Sequence, residues 1–285
     1  MFHLEARNEH GAAQQWRIQQ AKREAAEMRS AIRRNFSTIN QVKPWKQARR
    51  QRVRQTAEWF LQEPAFCDWR ADQNTASLWC SGTMGVGKTI LVSNLVAHLH
   101  APPRNQADII SYYFCRSDDE ESLRARNIIG SLSCQMLNTQ IERANGDTLS
   151  DLYHKSQDLD TEDVIDLVTS RLEDDKTYYV ILDGVDECES NDVRDVARGL
   201  ASLCDKRVKD LKILCSGRPE LEKELFRTHK PKYKMALTEQ KVESDMDRYI
   251  DTTLHQCLED GHLKLSDPRL ILNIEEALRK GSDGM

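Results

Sequence analysis

The chain has 285 residues, of which 39% are hydrophobic and 31% are charged, and its formal net charge is −5. This composition is typical of a globular protein long enough to bury a core. No apolar run approaches the roughly 18 residues of a transmembrane helix, and the N-terminus lacks the apolar core of a secretory signal. Eight cysteines without a C-x-x-C pair disfavour zinc sites and disulfide frameworks. We therefore expect a cytoplasmic protein without a transmembrane segment.

The charge is distributed unevenly along the chain. Residues 1–56 contain 13 Lys and Arg against 4 Asp and Glu, which leaves a net charge of −14 for residues 57–285. From Ala12 to Ile39 apolar residues recur at steps of mostly three and four, which predicts one long amphipathic helix. We expect Pro44 to break this helix and Trp45 to Arg54 to form an arginine-rich link.

This basic arm has two interpretations. Its arginines at positions 49, 50, 52 and 54 could bind nucleic acid or anionic lipid. More often such a stretch is the solvated face of a helix or packs on an acidic body, and we favour that interpretation.

The most informative motif runs from Gly82 to Thr89 and spells G-x-x-x-x-G-K-T. A short apolar run at 76–80 precedes it, and apolar residues at helical spacing follow it over 89–100. In this strand–loop–helix setting the pattern predicts a loop whose backbone N–H groups bind phosphate at a helix N-terminus. Lys88 would contact the β- and γ-phosphates, and the Thr89 hydroxyl would bind magnesium. The candidate nucleotide-binding residues are Gly82, Thr83, Met84, Gly85, Val86, Gly87, Lys88, Thr89 and Ile90. The alternative is a glycine turn with an incidental lysine.

Strand and helix patterns alternate through the rest of the body. Strands are predicted at 108–114, 178–183 and 211–215, helices at 122–137, 161–172 and 193–203, and helices only from Val242 onward. Such alternation predicts an α/β fold with a parallel sheet that is covered by helices on both faces. The acidic run Asp118 to Glu121 precedes one predicted helix, so we interpret it as a helix cap rather than a metal site.

A second constellation of polar residues follows the strand 178–183. Asp183 ends that apolar strand, and Asp186 and Glu187 come shortly after it. A carboxylate at a strand's end holds magnesium in phosphate-transfer sites, and a further acid can take a proton from the attacking water. We assign Asp183 to the metal, Glu187 as the general base and Asp186 as its support. An apolar strand that merely ends in acids is the alternative.

A third strand, 211–215, ends at a polar tip that contains Arg218. Ligands of open α/β sheets lie beyond the carboxyl ends of the strands. We therefore expect Arg218 to point toward the phosphates, where a guanidinium could sense or stabilise the γ-phosphate. A surface arginine beside Pro219 is the alternative.

The segments GTMGVGKT, VILDGVDEC and KILCSGRPE together resemble the NACHT-type P-loop domains of fungal NOD-like receptors. The similarity is greatest to the version called the nephrocystin-three-like N-terminal domain. Residues 56–61 are similar to the family's T-G-E-W-F-L entrance, and 113–115, 118–129 and 271–285 are similar to other family segments. The resemblance covers about residues 50–285.

The resemblance implies a signal-transduction NTPase of the STAND class, which switches between an ADP-held resting form and an ATP-held assembling form. It implies roles in self/non-self recognition or programmed cell death in fungi. It also implies a five-stranded sheet in the order 5-1-4-3-2, with an N-terminal helical arm and a helical C-terminal end. Arg218 would occupy the sensor position, and Thr56 and Trp59 would lie near the nucleotide base.

The chain departs from the family pattern at three places. Ala57 replaces the entrance glycine, and Gly217 replaces the serine of what is usually a T-S-R-P or S-S-R-P turn. The chain also stops at Met285, where family members continue into a winged-helix region and a repeat sensor. We expect the latch and the ligand detector of the switch to be missing.

We expect three parts: a basic helical arm at 1–55, a NACHT-type P-loop NTPase core at 56–240 and a truncated helical segment at 241–285. The core would bind ATP or ADP with magnesium, hydrolyse ATP slowly, and support ATP-dependent self-association or binding of protein partners. One alternative is a non-catalytic, nucleotide-dependent interaction module. Another is a small-molecule kinase, which needs an arginine-bearing lid, although residues 219–241 are poor in arginine.

Overall fold

The computed structural model describes residues 2–102, 107–205, 210–265, 267 and 269–281. The strands are β1 (Ala76–Ser81), β2 (Asp108–Phe114), β3 (Thr177–Asp183), β4 (Leu211–Gly217) and β5 (Tyr233–Ala236). The helices are α1 (Phe2–Phe36), α2 (Val42–Gln51), α3 (Pro64–Ala71), α4 (Lys88–His100), α5 (Ala125–Met136), α6 (Asn138–Arg143), α7 (Gly146–Lys155), α8 (Thr161–Thr169), α9 (Ser190–Asp205), α10 (Glu222–Leu225), α11 (Glu239–Glu259) and α12 (Leu270–Gly281). Short 3-10 turns lie at Trp59–Gln62, Glu120–Leu123, Val185–Glu187 and Pro219–Leu221.

The five strands form one parallel sheet in the order β2-β3-β4-β1-β5. This confirms the predicted α/β fold, and read from the other edge it is the expected order 5-1-4-3-2. Because all strands run the same way, their carboxyl ends meet at one edge. Ser81 pairs there with Gly217, and Asp183 pairs with Phe114. The segments that follow β1, β3 and β4 are therefore brought together.

Both faces of the sheet are apolar, because alternate strand residues point into two separate core layers. Trp79, Ile213 and Cys215 pack into one layer with buried residues of α1, α5, α7, α8 and α9. Leu78 and Leu214 pack into the other layer, with buried residues of α3 and α4. Burial on both faces explains why these strands read as nearly continuous apolar runs.

The C-terminal end of α1 is built into the body of the protein. Ile32 and Phe36 are fully buried in the first core layer. Arg126 of α5 donates hydrogen bonds to the carbonyl oxygens of Asn35, at 2.8 Å, and of Phe36, at 2.5 Å. A Cβ atom added to Gly130 would lie 1.8 Å from the Phe36 carbonyl oxygen, so α5 and α1 approach at a distance that only glycine allows.

Arginines of α1 also bind the end of α6. Arg29 donates to the carbonyl oxygens of Ile141, at 3.1 Å, and Ala144, at 2.7 Å. The last carbonyl groups of a helix lack helical partners and carry partial negative charge. Arg33 adds an ion pair with Glu142. The polar contacts between the basic arm and the body are therefore mostly hydrogen bonds from arginines to helix-end carbonyl oxygens. The net charges alone had suggested ion pairs between arginines and carboxylates.

The boundaries of the N-terminal helices differ from the sequence prediction. Helix α1 ends at Phe36, before Ile39, and Pro44 lies in the first turn of α2 instead of breaking the longer helix. Proline is tolerated in a first turn because its missing N–H has no helical partner there. The predicted link 45–54 is thus helical as far as Gln51.

The acidic run before α5 does not cap that helix, so this prediction was wrong. Glu120 and Glu121 begin a 3-10 turn, and α5 starts only at Ala125. The Ala125 N–H donates instead to Asp192 Oδ1, at 2.7 Å. Asp192 belongs to α9, so the carboxylate at this helix N-terminus comes from a distant part of the chain.

Sequence patterns also missed β5, α3, α6 and α7, which are short or lack a clear period. None of the described helices combines the length and the apolar character needed to cross a membrane. The last part of the family-like closing segment, residues 282–285, lies outside the described residues.

Candidate functional site

The loop after β1 places Gly87 directly before α4. Gly87 has φ +89°, in the left-handed region that favours glycine, and Lys88 begins the helix. A Cβ atom added to Gly87 would meet no atom within 4 Å, so backbone conformation and not crowding requires glycine here. The space beside the loop is open, and the first N–H groups of α4 carry partial positive charge. Loop and helix end together form a surface that fits a phosphate group.

The Lys88 side chain closes this loop. Its Nζ donates to the carbonyl oxygens of Gly82 and Thr83, both at 2.8 Å. An ammonium group has three N–H donors, and these carbonyls take two of them. The arrangement holds the positive charge at the loop while a third donor can reach a phosphate oxygen.

Asp183 lies at the carboxyl end of β3 and is buried. Burial raises the pKa of its carboxyl group, and hydrogen bonds from the Ser216 and Thr89 hydroxyls and the charge of Lys88 oppose that rise. The structure therefore brings Asp183, Thr89 and Lys88 together, although 94 positions separate Asp183 and Thr89 along the chain.

A magnesium ion that accompanies a nucleotide fits this corner of the site. The Asp183 carboxylate and the Thr89 hydroxyl supply oxygen atoms, which Mg²⁺ prefers. Within the described ranges no cluster of three or more His, Cys, Asp or Glu side chains could hold a metal by itself. An ion at Thr89 and Asp183 would therefore complete its ligands with phosphate and water oxygens.

Arg218, Asp186 and Glu187 form an ion-paired group at the same sheet edge. Arg218 Nε lies 2.9 Å from Asp186 Oδ2, and its Nη2 lies 3.8 Å from Glu187 Oε1. The Asp186 side chain is 8% exposed, whereas those of Glu187 and Arg218 are 35% and 46% exposed. The structure thus places Arg218 beside the two acids.

The strand end before Arg218 is adjacent to the phosphate loop. The Gly82 N–H donates to the Gly217 carbonyl oxygen at 3.2 Å. A Cβ atom at Gly217 would lie 2.8 Å from Trp79 Cη2 and 3.3 Å from Asp186 Oδ1. The buried Trp79 ring therefore occupies the space that a serine at position 217 would need.

The entrance residues Thr56 to Trp59 are fastened to α11. Asp245 Oδ2 accepts hydrogen bonds from the Ala57 N–H, at 2.7 Å, and from Trp59 Nε1, at 2.9 Å. Asn94 Nδ2 donates to the Ala57 carbonyl oxygen at 2.8 Å. Ala57 has φ +61°, so the position where the family pattern has glycine does adopt a backbone conformation that favours glycine.

A cleft of about 730 Å³ lies between the phosphate loop, the entrance segment and the C-terminal helices. The structure places Thr56 on its wall, whereas Trp59 does not line it. Sequence reasoning missed the α11 part of the wall. Helical spacing of its apolar residues could have indicated a buried face, but not that the face lines this cleft. The α11 residues on the wall are Val242, Asp245, Met246, Tyr249 and Ile250.

The family described as nephrocystin 3, N-terminal, matches residues 55–218, which is more than half of the chain. The chain belongs to this family. The match contains the phosphate loop and ends at Arg218, so this member of the nephrocystin 3, N-terminal, family carries a P-loop NTPase-like domain.

Two solved structures illustrate more distant similarity. Cdc6p from Pyrobaculum aerophilum has a TM-score of 0.42 and 14% identity over 68% of this chain and 49% of that chain. Drosophila ORC bound to GC-rich DNA and Cdc6 has a TM-score of 0.41 and 11% identity over 78% of this chain and 34% of that chain. The chain thus spans about half of the first protein and a third of the second. A comparison with curated proteins found no match.

Proposed function

We propose that this protein binds ATP and ADP, with magnesium, at the phosphate loop. The observation that carries this proposal is the position of Lys88, whose ammonium group closes the loop at the start of α4 next to an open cleft. Residues 82–90 would contact the phosphates. The largely apolar cleft suits a flat nucleobase, with Thr56 on its wall and Trp59 holding the entrance through Asp245.

The acids at the end of β3 support slow ATP hydrolysis as the reaction. Thr89 and Asp183 would hold the magnesium ion, which when bound neutralises charge on the β- and γ-phosphates. Of the three acids, only Glu187 is both substantially exposed and next to Arg218. We assign Glu187 as the acceptor of the proton from water, with Asp186 fixing the position of Arg218.

The Arg218 ion pairs give a physical basis for a nucleotide switch. A γ-phosphate would compete with Asp186 and Glu187 for the guanidinium, because all three offer negative oxygens to the same donors. ATP and ADP would then stabilise different positions of Arg218. This supports a STAND-class, NACHT-type signalling role in the cytoplasm, with ATP-dependent self-association, as in fungal NOD-like receptors that act in self/non-self recognition or programmed cell death.

In this proposal the NTPase core spans residues 56–240. Residues 1–55 form a basic arm that packs on the core through the end of α1, and nucleic acid or membrane contact is not its main role. Residues 241–285 form a helical segment whose α11 contributes one wall of the cleft.

A non-catalytic nucleotide-binding module is the second candidate. The same Arg218 contact favours this second candidate, because a Glu187 carboxylate that stays paired with a guanidinium is not available to an attacking water molecule. A single-turnover assay with purified protein separates the two candidates, since only an NTPase converts bound ATP to ADP.

The substitution Lys88→Ala tests the binding site itself. We expect it to abolish ATP and ADP binding, measured by calorimetry, while the melting temperature without nucleotide stays close to that of the wild type. The reason is that Lys88 Nζ contacts loop carbonyls, would contact a bound phosphate, and does not belong to either core layer.

The matched control is Lys223→Ala, which removes the same charge from an exposed position in α10. This variant should bind like the wild type. Nucleotide at about 100 times Kd should raise the free energy of unfolding of the wild type and of Lys223→Ala by about 2.7 kcal/mol. A folded Lys88→Ala protein with normal affinity would overturn the proposed site.

A further inference from the structure

Two cysteines lie in contact beside the acids of the site. Cys188 follows Glu187 directly, and its Sγ donates a hydrogen bond to Cys115 Sγ at 3.8 Å, although 73 positions separate the two residues. Both are partly exposed, and all eight cysteines of the chain are free thiols in this structure. The contact therefore joins two separate loops through a pair of neighbouring thiol groups.

Backbone geometry explains why the two sulfur atoms meet. Cys115 continues β2 by one residue, since its N–H donates to the Asp183 carbonyl oxygen at 2.9 Å. The 3-10 turn Val185–Glu187 is closed by the Cys188 N–H, which donates to the Val185 carbonyl oxygen at 3.2 Å. This turn brings Cys188 back over the end of β2.

Gly184 allows the close approach of the two loops. Its φ is +77°, and a Cβ atom there would lie 3.2 Å from the Cys115 carbonyl oxygen and 3.4 Å from Cys115 Cβ. A side chain at 184 would be strained by this φ and would lie in tight contact with the Cys115 carbonyl group. The pair is thus positioned by the sheet, the turn and one glycine.

We propose that Cys115 and Cys188 form a reversible disulfide that makes the loop carrying Glu187 sensitive to oxidants. The sulfur atoms need to approach from 3.8 Å to about 2.05 Å, the length of an S–S bond. We expect rotation of the two side chains, which lie on adjacent loops, to supply that movement.

The oxidant is a peroxide supplied from outside the protein. The Cys188 thiolate attacks hydrogen peroxide, its O–O bond breaks, and hydroxide leaves, so that a sulfenic acid forms. The Cys115 thiol then attacks the sulfenic sulfur, the S–S bond forms and the S–O bond breaks. The thiol proton leaves with that oxygen as water, and the two sulfurs have together transferred two electrons to the peroxide. We assign the first step to Cys188, which lies between the exposed residues Glu187 and Glu189, whereas Cys115 follows the buried Phe114.

The bond would tie the turn 185–187 to the end of β2. Its effect on ATP hydrolysis rests on the function proposed above, because Glu187 is the neighbour of Cys188. The disulfide itself does not depend on that function and can be measured without nucleotide.

The test uses the full chain, treated with hydrogen peroxide, alkylated and digested without reduction for mass spectrometry. We expect a linked Cys115–Cys188 peptide, a fall from eight to six free thiols, and reversal by dithiothreitol. Amide hydrogen exchange at 184–189 should slow about tenfold in the oxidised protein, because the disulfide restrains opening of that loop.

Two variants and one control make the result specific. Cys115→Ser and Cys188→Ser should each abolish the link, whereas Cys67→Ser, which removes an exposed cysteine far along the chain, should leave it intact. Eight free thiols after treatment, or oxidation confined to Cys67, would overturn the proposal. A linked peptide without slower amide exchange at 184–189 would overturn the proposal that the disulfide restrains the loop carrying Glu187.

Discussion

At the scale of single residues, two adjacent acids of the site, Asp186 and Glu187, contact the same guanidinium group of Arg218. Glu187 is partly exposed and contacts Arg218 at 3.8 Å, whereas Asp186 is nearly buried and pairs with Arg218 at 2.9 Å. Asp186 therefore holds the guanidinium, and Glu187 has the weaker contact and the better access to water. This difference supports the separate roles that we propose for these two adjacent acids.

We predict that Glu187→Gln keeps ADP and ATP bound but slows hydrolysis by about 10²–10⁴-fold, because the amide cannot accept the proton. Single-turnover hydrolysis of radiolabelled ATP measures this rate, and calorimetry measures binding. Glu189→Gln is the matched control, since Glu189 is exposed and lies 3.9 Å from Arg124, outside the site. A Glu187→Gln rate equal to that of the wild type would show that another group takes the proton.

Ala57 shows how a residue that departs from the family pattern is accommodated. Its φ of +61° favours glycine, and a non-glycine residue in this region costs about 1 kcal/mol. Hydrogen bonds of its N–H to Asp245 and of its carbonyl oxygen to Asn94 hold the conformation. The entrance segment is thus stabilised by helices on both sides of the cleft.

At the scale of elements, the edge strand β5 is fastened by one carboxylate. Asp72, just after α3, accepts hydrogen bonds from Lys232 Nζ at 2.6 Å and from the Tyr233 hydroxyl at 3.0 Å. Its other oxygen accepts from the Asn74 N–H at 3.1 Å. The hydrogen bond from Lys232, with smaller help from Asn74 and Tyr233, lowers the pKa of Asp72 to about 2. The carboxylate therefore links α3 to the short strand that follows Lys232.

We predict that Asp72→Asn lowers the free energy of unfolding by about 1 kcal/mol at pH 7, since exposure of Lys232 screens the ion pair. A lowered pKa stabilises the folded state above the unfolded pKa of about 3.9. That stabilisation is lost as the pH falls through about 2. The difference from the wild type, measured by denaturant unfolding, should therefore shrink between about pH 4 and pH 2. The control is Asp68→Asn, at an exposed position of α3, which should neither lower the free energy of unfolding at pH 7 nor change its pH dependence. A difference between Asp72→Asn and the wild type that persists in full at pH 2 would contradict this account.

At the scale of the whole molecule, the basic arm illustrates the limit of net charge as an argument. Between α1 and the body, the described side chains make one ion pair, Arg33–Glu142. Most of the other contacts are between buried apolar groups or are hydrogen bonds to backbone carbonyl oxygens, such as those from Arg29 and Arg126. Salt screens exposed charges strongly and buried contacts little. An arm held by charge alone would be released by salt, whereas this one should stay docked.

We predict that particle size, measured by light scattering, increases with ATP and not with ADP or without nucleotide. In the absence of nucleotide the size should be the same at low and high salt, because α1 remains packed on α5 and α6. The Lys88→Ala variant serves as the control and should not respond to ATP. A constant size under every condition would contradict the switch and favour a simple nucleotide-binding module. A size that increases with salt alone would contradict the docking of α1.

The sequence by itself determined the features that depend on neighbouring residues. The contiguous motif from Gly82 to Thr89 predicted the loop between β1 and α4, because its glycine supplies a left-handed conformation directly before a helix. Apolar runs at 108–114 and 178–183 predicted β2 and β3 within a residue of their bounds, since strands buried on both faces need such runs. The alternation of these elements predicted the parallel sheet.

Only the tertiary structure decided which distant residues meet. Asp245 binds the Ala57 N–H across 188 positions, Asp192 replaces the adjacent acids at the start of α5, and Cys188 contacts Cys115. Periodicity indicates which face of a helix is buried, but not which surface covers it, because the chain path sets the partner. The strand order places the ends of β1, β3 and β4 at one edge. That juxtaposition, which no local pattern contains, brings Lys88, Asp183 and Arg218 into one site.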